Sequence, residues 1–346
     1  MNRPYNTIRA IRESPLQTHR PRHIDRAMST PMKSSHQIFT LICLLIVATL
    51  PVTAVADNLS IPARLAPKSL LLDAAKAGDD LIVVGERGHV LRSSDHGQSW
   101  QQIVVPTRTT LTAVTFADQL LGLVVGHDLT ILRTEDGGRN WQLIHEDRDE
   151  QPPFLDVLFV NEHHAFAVGA YGTFFESTDS GKTWEQRWIA EDDFHLNALG
   201  ITGNDIYIAA EAGMLYKSED EGETFIELDP GYEGSFFGIF PVSNSNLLLF
   251  GLRGNLFRSD DEGESWHQLD TDTDAGLTSA VQLADGTLLV AGLSGTLLVV
   301  DQQDFLVTTQ QEPERKGFSK LLETTEGQVL AVGDFGVTLL PSTLFR

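Results

Sequence analysis

The sequence has almost no cysteine. Cys43 is the one cysteine in 346 residues, and it lies in an N-terminal apolar stretch. This excludes thiol chemistry and a disulfide framework for the rest of the chain. Basic residues are scarce too: residues 57–346 hold 18 Lys and Arg against 46 Asp and Glu, a net charge of −28. Such a surface repels phosphate groups, which argues against partners such as nucleic acid or an anionic membrane surface.

Long apolar runs are also missing, apart from one short run near the N-terminus. Ile38–Leu50 is apolar except for two threonines, follows Lys33 and precedes Ala54-Val55-Ala56. Its 13 residues fall short of the roughly 20 that span a bilayer, so a membrane anchor is the weaker interpretation. A basic start, a short apolar core and an A-x-A site are typical of a secretory signal peptide.

These features predict two parts of the chain. Residues 1–56 are predicted to be a basic extension plus signal peptide, cleaved after Ala56, and residues 57–346 the mature domain. The mature chain is then expected in the periplasm or outside the cell, without inserting into the membrane. The start of translation stays open between Met1, Met28 and Met32.

What the sequence has in abundance is a repeat. Five segments match S/T-x-D-x-G-x-S/T/N-W/F, and their aspartates are spaced by 41, 43, 41 and 41 residues. These aspartates are Asp95, Asp136, Asp179, Asp220 and Asp261. A Gly-x-x-Gly motif precedes each segment and occurs seven times at the same period, twice in degenerate form. Residues 57–346 therefore comprise seven units, of which the last two have lost the Asp motif.

Each unit predicts four short strands. In unit three they are Phe154–Val160, Ala165–Gly169, Thr173–Ser177 and Trp184–Trp188. A repeat of about 40–45 residues with four strands is the period of a propeller blade, so we predict an all-β, seven-bladed β-propeller. A linear solenoid is the alternative. Unit seven lacks a fourth strand, and we expect Ser60–Leu65 to supply it and close the ring, removing an exposed edge.

The Asp motif is expected to stabilise the fold. Its aspartate can accept hydrogen bonds from backbone N–H groups of its own turn, and its glycine can supply a positive φ. Its aromatic residue opens the fourth strand and buries a large apolar area. The tryptophans at this position are Trp100, Trp141, Trp184 and Trp266.

The motif resembles the Asp-box, or bacterial neuraminidase repeat, of sialidases and of non-enzymatic propellers. The longer unit, seen in Ala167-Val168-Gly169-Ala170-Tyr171-Gly172 followed by Ser177–Trp184, resembles the photosystem II stability/assembly factor family. The resemblance covers residues 60–346. It implies an exported scaffold without catalytic residues or cofactor. Such a scaffold would assist assembly or stability of a membrane-protein complex from the periplasmic or lumenal side.

A partner is expected on the face that carries the Gly-x-x-Gly turns and the loops between blades, because such loops vary on a fixed scaffold. The Asp-box turns lie on the opposite face. Arginine and aromatic side chains are common at protein interfaces, and the chain is expected to act as a monomer. The candidate partner-binding residues of these types are Arg87, Arg108, Tyr171, Arg253, Arg315 and Phe335.

A second set of residues recurs where each innermost strand begins. It predicts packing between blades, with an apolar rim around the channel mouth as the alternative. The set is Leu70, Leu111, Phe154, His195, Phe236, Leu277 and Phe318.

Two other function classes are weaker alternatives. A sialidase-like glycoside hydrolase could use Arg87, Arg253, Tyr171 and Glu211, but the Phe/Tyr-Arg-Ile-Pro stretch of sialidases is missing. A glycan- or calcium-binding module is the other alternative, because Asp270–Gly276 is similar to a calcium loop. Its glycine falls one place late and Val281 stands where a bidentate Glu is needed, so no metal site is predicted there.

Overall fold

The computed structural model describes residues 58–150, 152–301 and 305–345. Within these ranges, 27 strands form seven antiparallel sheets in sequence order, each a blade of a β-propeller. The predicted fold class is confirmed. The predicted signal peptide lies outside the described residues. No helix in the described ranges is both long and apolar enough to cross a membrane.

The first four blades each have four strands. Blade one has β1 (Leu71–Ala77), β2 (Asp80–Gly85), β3 (His89–Ser93) and β4 (Gln101–Ile103). Blade two has β5 (Leu111–Phe116), β6 (Gly122–Gly126), β7 (Ile131–Thr134) and β8 (Gln142–His145). Blade three has β9 (Phe154–Phe159), β10 (Ala165–Gly169), β11 (Phe174–Ser177) and β12 (Glu185–Arg187). Blade four has β13 (Leu196–Thr202), β14 (Asp205–Ala210), β15 (Leu215–Ser218) and β16 (Ile226–Leu228).

The last three blades follow the same order, but blade seven has three strands. Blade five has β17 (Phe236–Pro241), β18 (Leu247–Gly251), β19 (Leu256–Ser259) and β20 (His267–Leu269). Blade six has β21 (Leu277–Gln282), β22 (Leu288–Gly292), β23 (Thr296–Val300) and β24 (Val307–Gln311). Blade seven has β25 (Phe318–Glu323), β26 (Val329–Gly333) and β27 (Gly336–Leu340). Short 3-10 turns occupy Ala66–Lys68, Glu86–Gly88, Leu252–Gly254, Leu293–Gly295 and Ser342–Leu344.

The core consists of seven apolar clusters, one at each junction between neighbouring blades. Each cluster combines the second and third strands of one blade with the inner strands of the next. The Asp-box aromatic of a blade packs toward the preceding blade: Trp184, for example, joins the cluster between blades two and three. In blade seven, which has no Asp-box, Phe345 occupies the cluster with blade six.

Five of the seven residues predicted at the start of the innermost strands lie in this core: Leu111, Phe154, Phe236, Leu277 and Phe318. Phe154, Phe236 and Phe318 are fully buried or nearly so, which confirms packing between blades and makes the rim interpretation wrong. Two members are displaced by one residue. Leu71 and Leu196 take the buried positions, whereas Leu70 is 38% exposed and His195 is half-buried.

The N-terminal segment does not close the ring as predicted. Ser60–Leu65 contains no strand and runs along blade one. The Ser60 amide donates to the Val105 carbonyl at 2.8 Å, and the Ala63 amide donates to Gln102 Oε1 at 2.7 Å. The outer strand of blade one ends at Ile103. The Val105 backbone beyond it and the Gln102 side chain therefore bond the backbone of Ser60–Leu65.

The ring closes instead through direct packing of blade seven on blade one. Leu330 and Val332 of blade seven share a cluster with Leu81 and Val83 of blade one. Across the same junction, Lys320 Nζ lies 2.9 Å from Asp73 Oδ1. His96 of blade one also lies 2.9 Å from the Thr325 hydroxyl and 3.6 Å from Glu326 Oε1 of blade seven. Side-chain packing and these polar contacts therefore close the ring.

Trp184→Ala tests the packing between blades. We expect a loss of about 3 kcal/mol in unfolding free energy, because the deletion leaves a cavity between blades two and three. Trp188→Ala is the matched control: this side chain is 68% exposed, and its loss should change stability by less than about 0.5 kcal/mol. Equal effects in chemical denaturation would contradict the packing assignment.

Candidate partner-binding face

The Gly-x-x-Gly turns connect the second and third strands of each blade, opposite the Asp-box turns. In blade one a Cβ atom at Gly85 would lie 2.3 Å from the Leu70 carbonyl oxygen. Gly88 has φ +70°, and a Cβ atom there would meet the Thr107 carbonyl at 2.4 Å. Glycine is required at both places because the chain entering the blade and the loop leaving it press on the turn. The turn is therefore held firmly by backbone contacts.

The third residue of the four-residue turn has a left-handed backbone in six of the seven turns. Arg87 and Arg253 have φ of 57° and Tyr171 has 56°, with Asp128, Ala212 and Ser294 alike. This conformation is unfavourable for residues with a Cβ atom, so each tip stores strain. Because Ala212 and Ser294 share it, the conformation belongs to the turn, and it determines where the arginine and tyrosine side chains stand.

The structure exposes five of the six candidate residues, and Phe335 is half-buried. The Arg87 side chain is 78% exposed, with Nε 3.8 Å from Glu86 Oε2. Tyr171 is 61% exposed, and Arg253 and Arg315 are exposed as well. These four stand on blades one, three and five and on the loop before blade seven. They are thus separate positions around the face.

Two of the candidates, Arg108 and Phe335, already have structural contacts. Arg108 Nε donates to the Leu59 carbonyl at 2.7 Å, which holds the N-terminal segment against blade one. Phe335 is half-buried, and its ring packs edge-on against Phe318 at 5.7 Å between centroids. The involvement of both residues in partner binding stays a prediction, and their geometry favours support of the fold.

An aromatic cluster on blades three and four was not predicted from the sequence. The Tyr171 ring lies edge-on to His195 at 4.9 Å, and the His195 amide donates to Glu211 Oε1 at 2.9 Å. Trp188 lies beside the same turn, 3.8 Å from a Cβ atom built at Gly172. One feature of the sequence could have indicated this cluster, because Trp188 is the one tryptophan outside the Asp-boxes.

The residues considered for a sialidase stand on four different blades. Tyr171 and Glu211 both contact His195. Arg87 and Arg253 belong to the tips of blades one and five. This arrangement gives no support to an arginine cluster around a tyrosine nucleophile.

The acidic loop Asp270–Asp274 lines an open groove of about 800 Å³ beside Arg253. Thr271 turns inward and donates to the Gly254 carbonyl at 2.7 Å. In the described ranges, no group of three or more His, Cys, Asp or Glu side chains is arranged to hold a metal ion.

The Asp-box aspartates form hydrogen bonds within their own turns. In blade one, Asp95 accepts from the Ser99 hydroxyl at 2.5 Å, from the Ser99 amide at 2.9 Å and from the Ser93 hydroxyl at 2.7 Å. The bonds from Ser99 and then Ser93 lower the pKa of Asp95 to about 2. The same bonds recur at Asp136, Asp179, Asp220 and Asp261. Both carboxylate oxygens are thus occupied by the turn.

The axial channel contains the other notable carboxylates. A cavity of about 210 Å³ is lined by Asp73, Asp156 and Lys320 among neutral residues of the innermost strands. Asp73 Oδ2 accepts from the Val114 amide and Asp156 Oδ2 from the Leu199 amide, both at 2.8 Å. Each aspartate therefore ties its blade to the next. Burial raises the pKa of Asp156 to about 6, against the attraction of Lys320.

Comparisons with known proteins agree with this architecture. The family described as "Photosynthesis system II assembly factor YCF48" has a model that matches residues 92–152 and 147–302. Among curated relatives, the photosystem II assembly protein Ycf48 of Thermosynechococcus vestitus is 38% identical over 53 residues, 15% of this chain and 15% of that protein. The photosystem II assembly lipoprotein Ycf48 of Prochlorococcus marinus is 43% identical over 54 residues, 15% of each chain. These alignments span less than a fifth of either relative.

Solved structures share the fold over most of their length. A structure described as YCF48 bound to D1 peptide has a TM-score of 0.64 at 19% identity, covering 79% of this chain and 91% of that chain. YCF48 from Cyanidioschyzon merolae has a TM-score of 0.62 at 17% identity, covering 79% and 95%. The WD40 propeller domain of Doa1 is as similar in structure: its TM-score is 0.65 at 11% identity, covering 80% of this chain and 95% of that chain. At these identities the likeness shows the propeller fold alone.

Asp179→Ala tests the structural role proposed for the Asp-box. Removing the carboxylate deletes the bonds from the Thr183 amide and hydroxyl, at 2.8 and 2.7 Å. We expect a loss of about 1–2 kcal/mol in unfolding free energy and no loss of partner binding. Asp79→Ala is the control, because Asp79 is exposed in a turn outside the Asp-boxes and its carboxylate accepts no hydrogen bond from the residues that the structure describes. A fully stable variant that fails to bind a partner would reverse the assignment.

Asp156→Asn tests the electrostatics of the channel. Because the folded-state pKa is raised from 3.8 to about 6, the ionised carboxylate destabilises the fold above pH 6. This cost develops between the two pKa values, from about pH 4 to pH 6, and it is absent below about pH 3, where Asp156 is protonated in both states. Asparagine removes the charge but keeps only one of the two oxygens that accept from the Val157 and Leu199 amides, both at 2.8 Å. The variant should therefore carry a constant loss of stability from the lost bond, and it should gain on wild type by on the order of 2 kcal/mol as pH rises from 4 to 8.

The measurement is the difference in unfolding free energy between the Asp156→Asn variant and wild type from pH 4 to pH 8. The difference should shift in favour of the variant by about 2 kcal/mol between pH 4 and pH 8. A difference independent of pH would show that Lys320 fully compensates the buried charge.

Proposed function

The chain belongs to the photosynthesis system II assembly factor YCF48 family, and on that basis we propose that it is an exported assembly factor that binds a membrane-protein client. One observation carries the proposal: the family model spans residues 92–302, from the third strand of blade one to the end of the third strand of blade six. The similarity to the family therefore lies in the propeller, which is the part of the chain that we propose binds the client. The proposal includes no covalent step and no cofactor.

The likeness to named relatives supports a client of a particular kind. Curated relatives are named photosystem II assembly proteins, and one solved neighbour is described as bound to a D1 peptide. We propose by analogy that the client of this chain is a subunit of a membrane complex, met on its periplasmic or lumenal side. Two of the relatives are named lipoproteins, which supports export of this chain as well.

The geometry supports the Gly-x-x-Gly face as the place of contact. Its tips are fixed by close backbone approaches, so the exposed Arg87, Arg253 and Tyr171 side chains are presented with little backbone freedom. Rigid presentation lowers the entropy lost on binding. The arginines also stand out from an otherwise acidic body, which favours acidic or carboxylate groups on the client.

The proposal is tested by affinity purification of residues 57–346 from chemically cross-linked native envelopes, read by mass spectrometry. We expect one membrane complex to be enriched. The variant Arg87→Glu with Arg253→Glu should lose at least tenfold in client recovery, because interface arginines often contribute 2 kcal/mol or more. Its melting midpoint should stay near that of wild type, since both side chains are exposed.

Arg139→Glu with Lys182→Glu is the matched control. It makes the same change in net charge on exposed residues of the Asp-box face and should bind normally. Equal recovery with both double variants would mean that the arginine tips do not contact the client. Failure of wild type to enrich any complex, with a positive control bait in parallel, would overturn the scaffold proposal, and a glycan array would then test the alternative classes.

A further inference from the structure

Blade seven differs from the other six at its outer edge. In blades one to six the third strand is covered by a fourth, whereas β27 is the outermost described strand of blade seven. After Leu340 the chain turns at Pro341 into the short turn Ser342–Leu344, and Phe345 then enters the core. The described residues after β27 thus place an aromatic side chain in the core and form no outer strand.

The side chains of β27 are typical of a covered strand. The sequence Gly336-Val-Thr-Leu-Leu340 is mostly apolar, like Thr296-Leu-Leu-Val-Val300 of blade six. That counterpart is buried except for one half-buried valine, whereas β27 has Thr338 exposed and Val337 and Leu339 half-buried. The true outer strands, such as Glu185–Arg187, are polar and exposed. An apolar strand at an open edge is a ready partner for another strand.

A groove of about 690 Å³ lies along this edge. Val337, Thr338 and Leu339 line its length, and Phe335 and Leu344 are among its apolar walls. Lys68, Lys316, Glu312 and Glu314 also line it, so it carries both signs of charge. The groove is therefore an apolar slot bordered by charged groups, beside a strand of five residues.

We propose that an extended segment of the client polypeptide binds in this groove and pairs with β27 as the fourth strand of blade seven. The unpaired backbone groups of a strand edge are best satisfied by another extended backbone, which supplies N–H and C=O groups at the same spacing. In each of the other six blades, the third strand is paired with a fourth strand. The segment should have apolar side chains at alternate positions and no proline at its centre.

This inference rests on the proposed function for the identity of the client, but it names a different surface from the arginine tips. The two sites are compatible, because the groove starts at Phe335 in the Gly-x-x-Gly turn of blade seven. A client chain could thus cross the face and continue along the edge.

The test combines photo-cross-linking with hydrogen exchange on residues 57–346. Replacing the exposed Thr338 with p-benzoylphenylalanine should give a cross-link to the client in envelopes. The same replacement at Thr308, exposed on the outer strand of blade six, should give at least tenfold less. Peptides of 15 residues that tile the exposed segments of the captured subunit then locate the pairing sequence.

Hydrogen exchange distinguishes strand pairing from mere proximity. Amides of Gly336–Leu340 should exchange at least tenfold more slowly with the pairing peptide, whereas those of Val307–Gln311 should not change. A client recovered by affinity purification without cross-linking or protection at β27 would overturn the inference and leave the proposed function intact. Recovery of no client would overturn both. A cross-link to a second copy of the chain, or to its own residues, would also overturn the inference.

Discussion

The packing of each blade on its neighbour determines the rest of the structure. A four-stranded sheet with outer strands of three to five residues cannot bury its own faces, so its stability depends on the next sheet. Seven apolar clusters provide that burial, and the seventh, where Leu330 and Val332 meet Leu81 and Val83, completes the ring. Asp73 and Asp156 add a hydrogen bond from the innermost strand of one blade to that of the next. Each element of the fold thus supports the same closed geometry.

Much of this architecture could be predicted because the sequence repeats it. A turn of fixed geometry needs the same residues wherever it occurs, so Asp, Gly and Trp recur at a period that identifies blades, strands and faces. Prediction was weaker wherever the repeat ends. The place of Ser60–Leu65 depends on hydrogen bonds to Val105 and Gln102, and no periodic signal encodes them. Phe345 takes a packing position that its own unit no longer marks with an Asp-box.

The site was predicted less completely than the fold, for a physical reason. A residue in the core is constrained by its neighbours in every blade, whereas a tip residue is constrained only by its backbone. The left-handed conformation at Arg87, Tyr171 and Arg253 sets where these side chains stand but not what they contact. The sequence placed them on the correct turns. It did not indicate that Arg108 would hold the N-terminal segment or that Tyr171 would pack against His195.

The residues that stabilise the propeller and the residues that it exposes to a partner lie in different places. The Asp-box turns form their bonds internally, while the opposite face and the edge of β27 retain exposed groups without such a pattern. The most direct test of the assembly role is the abundance of membrane complexes in cells that lack this chain, measured by native gel separation and quantitative mass spectrometry. The account predicts that one complex falls while its transcripts are unchanged and at least one of its subunits accumulates unassembled. Unchanged abundance and assembly of every membrane complex would contradict it.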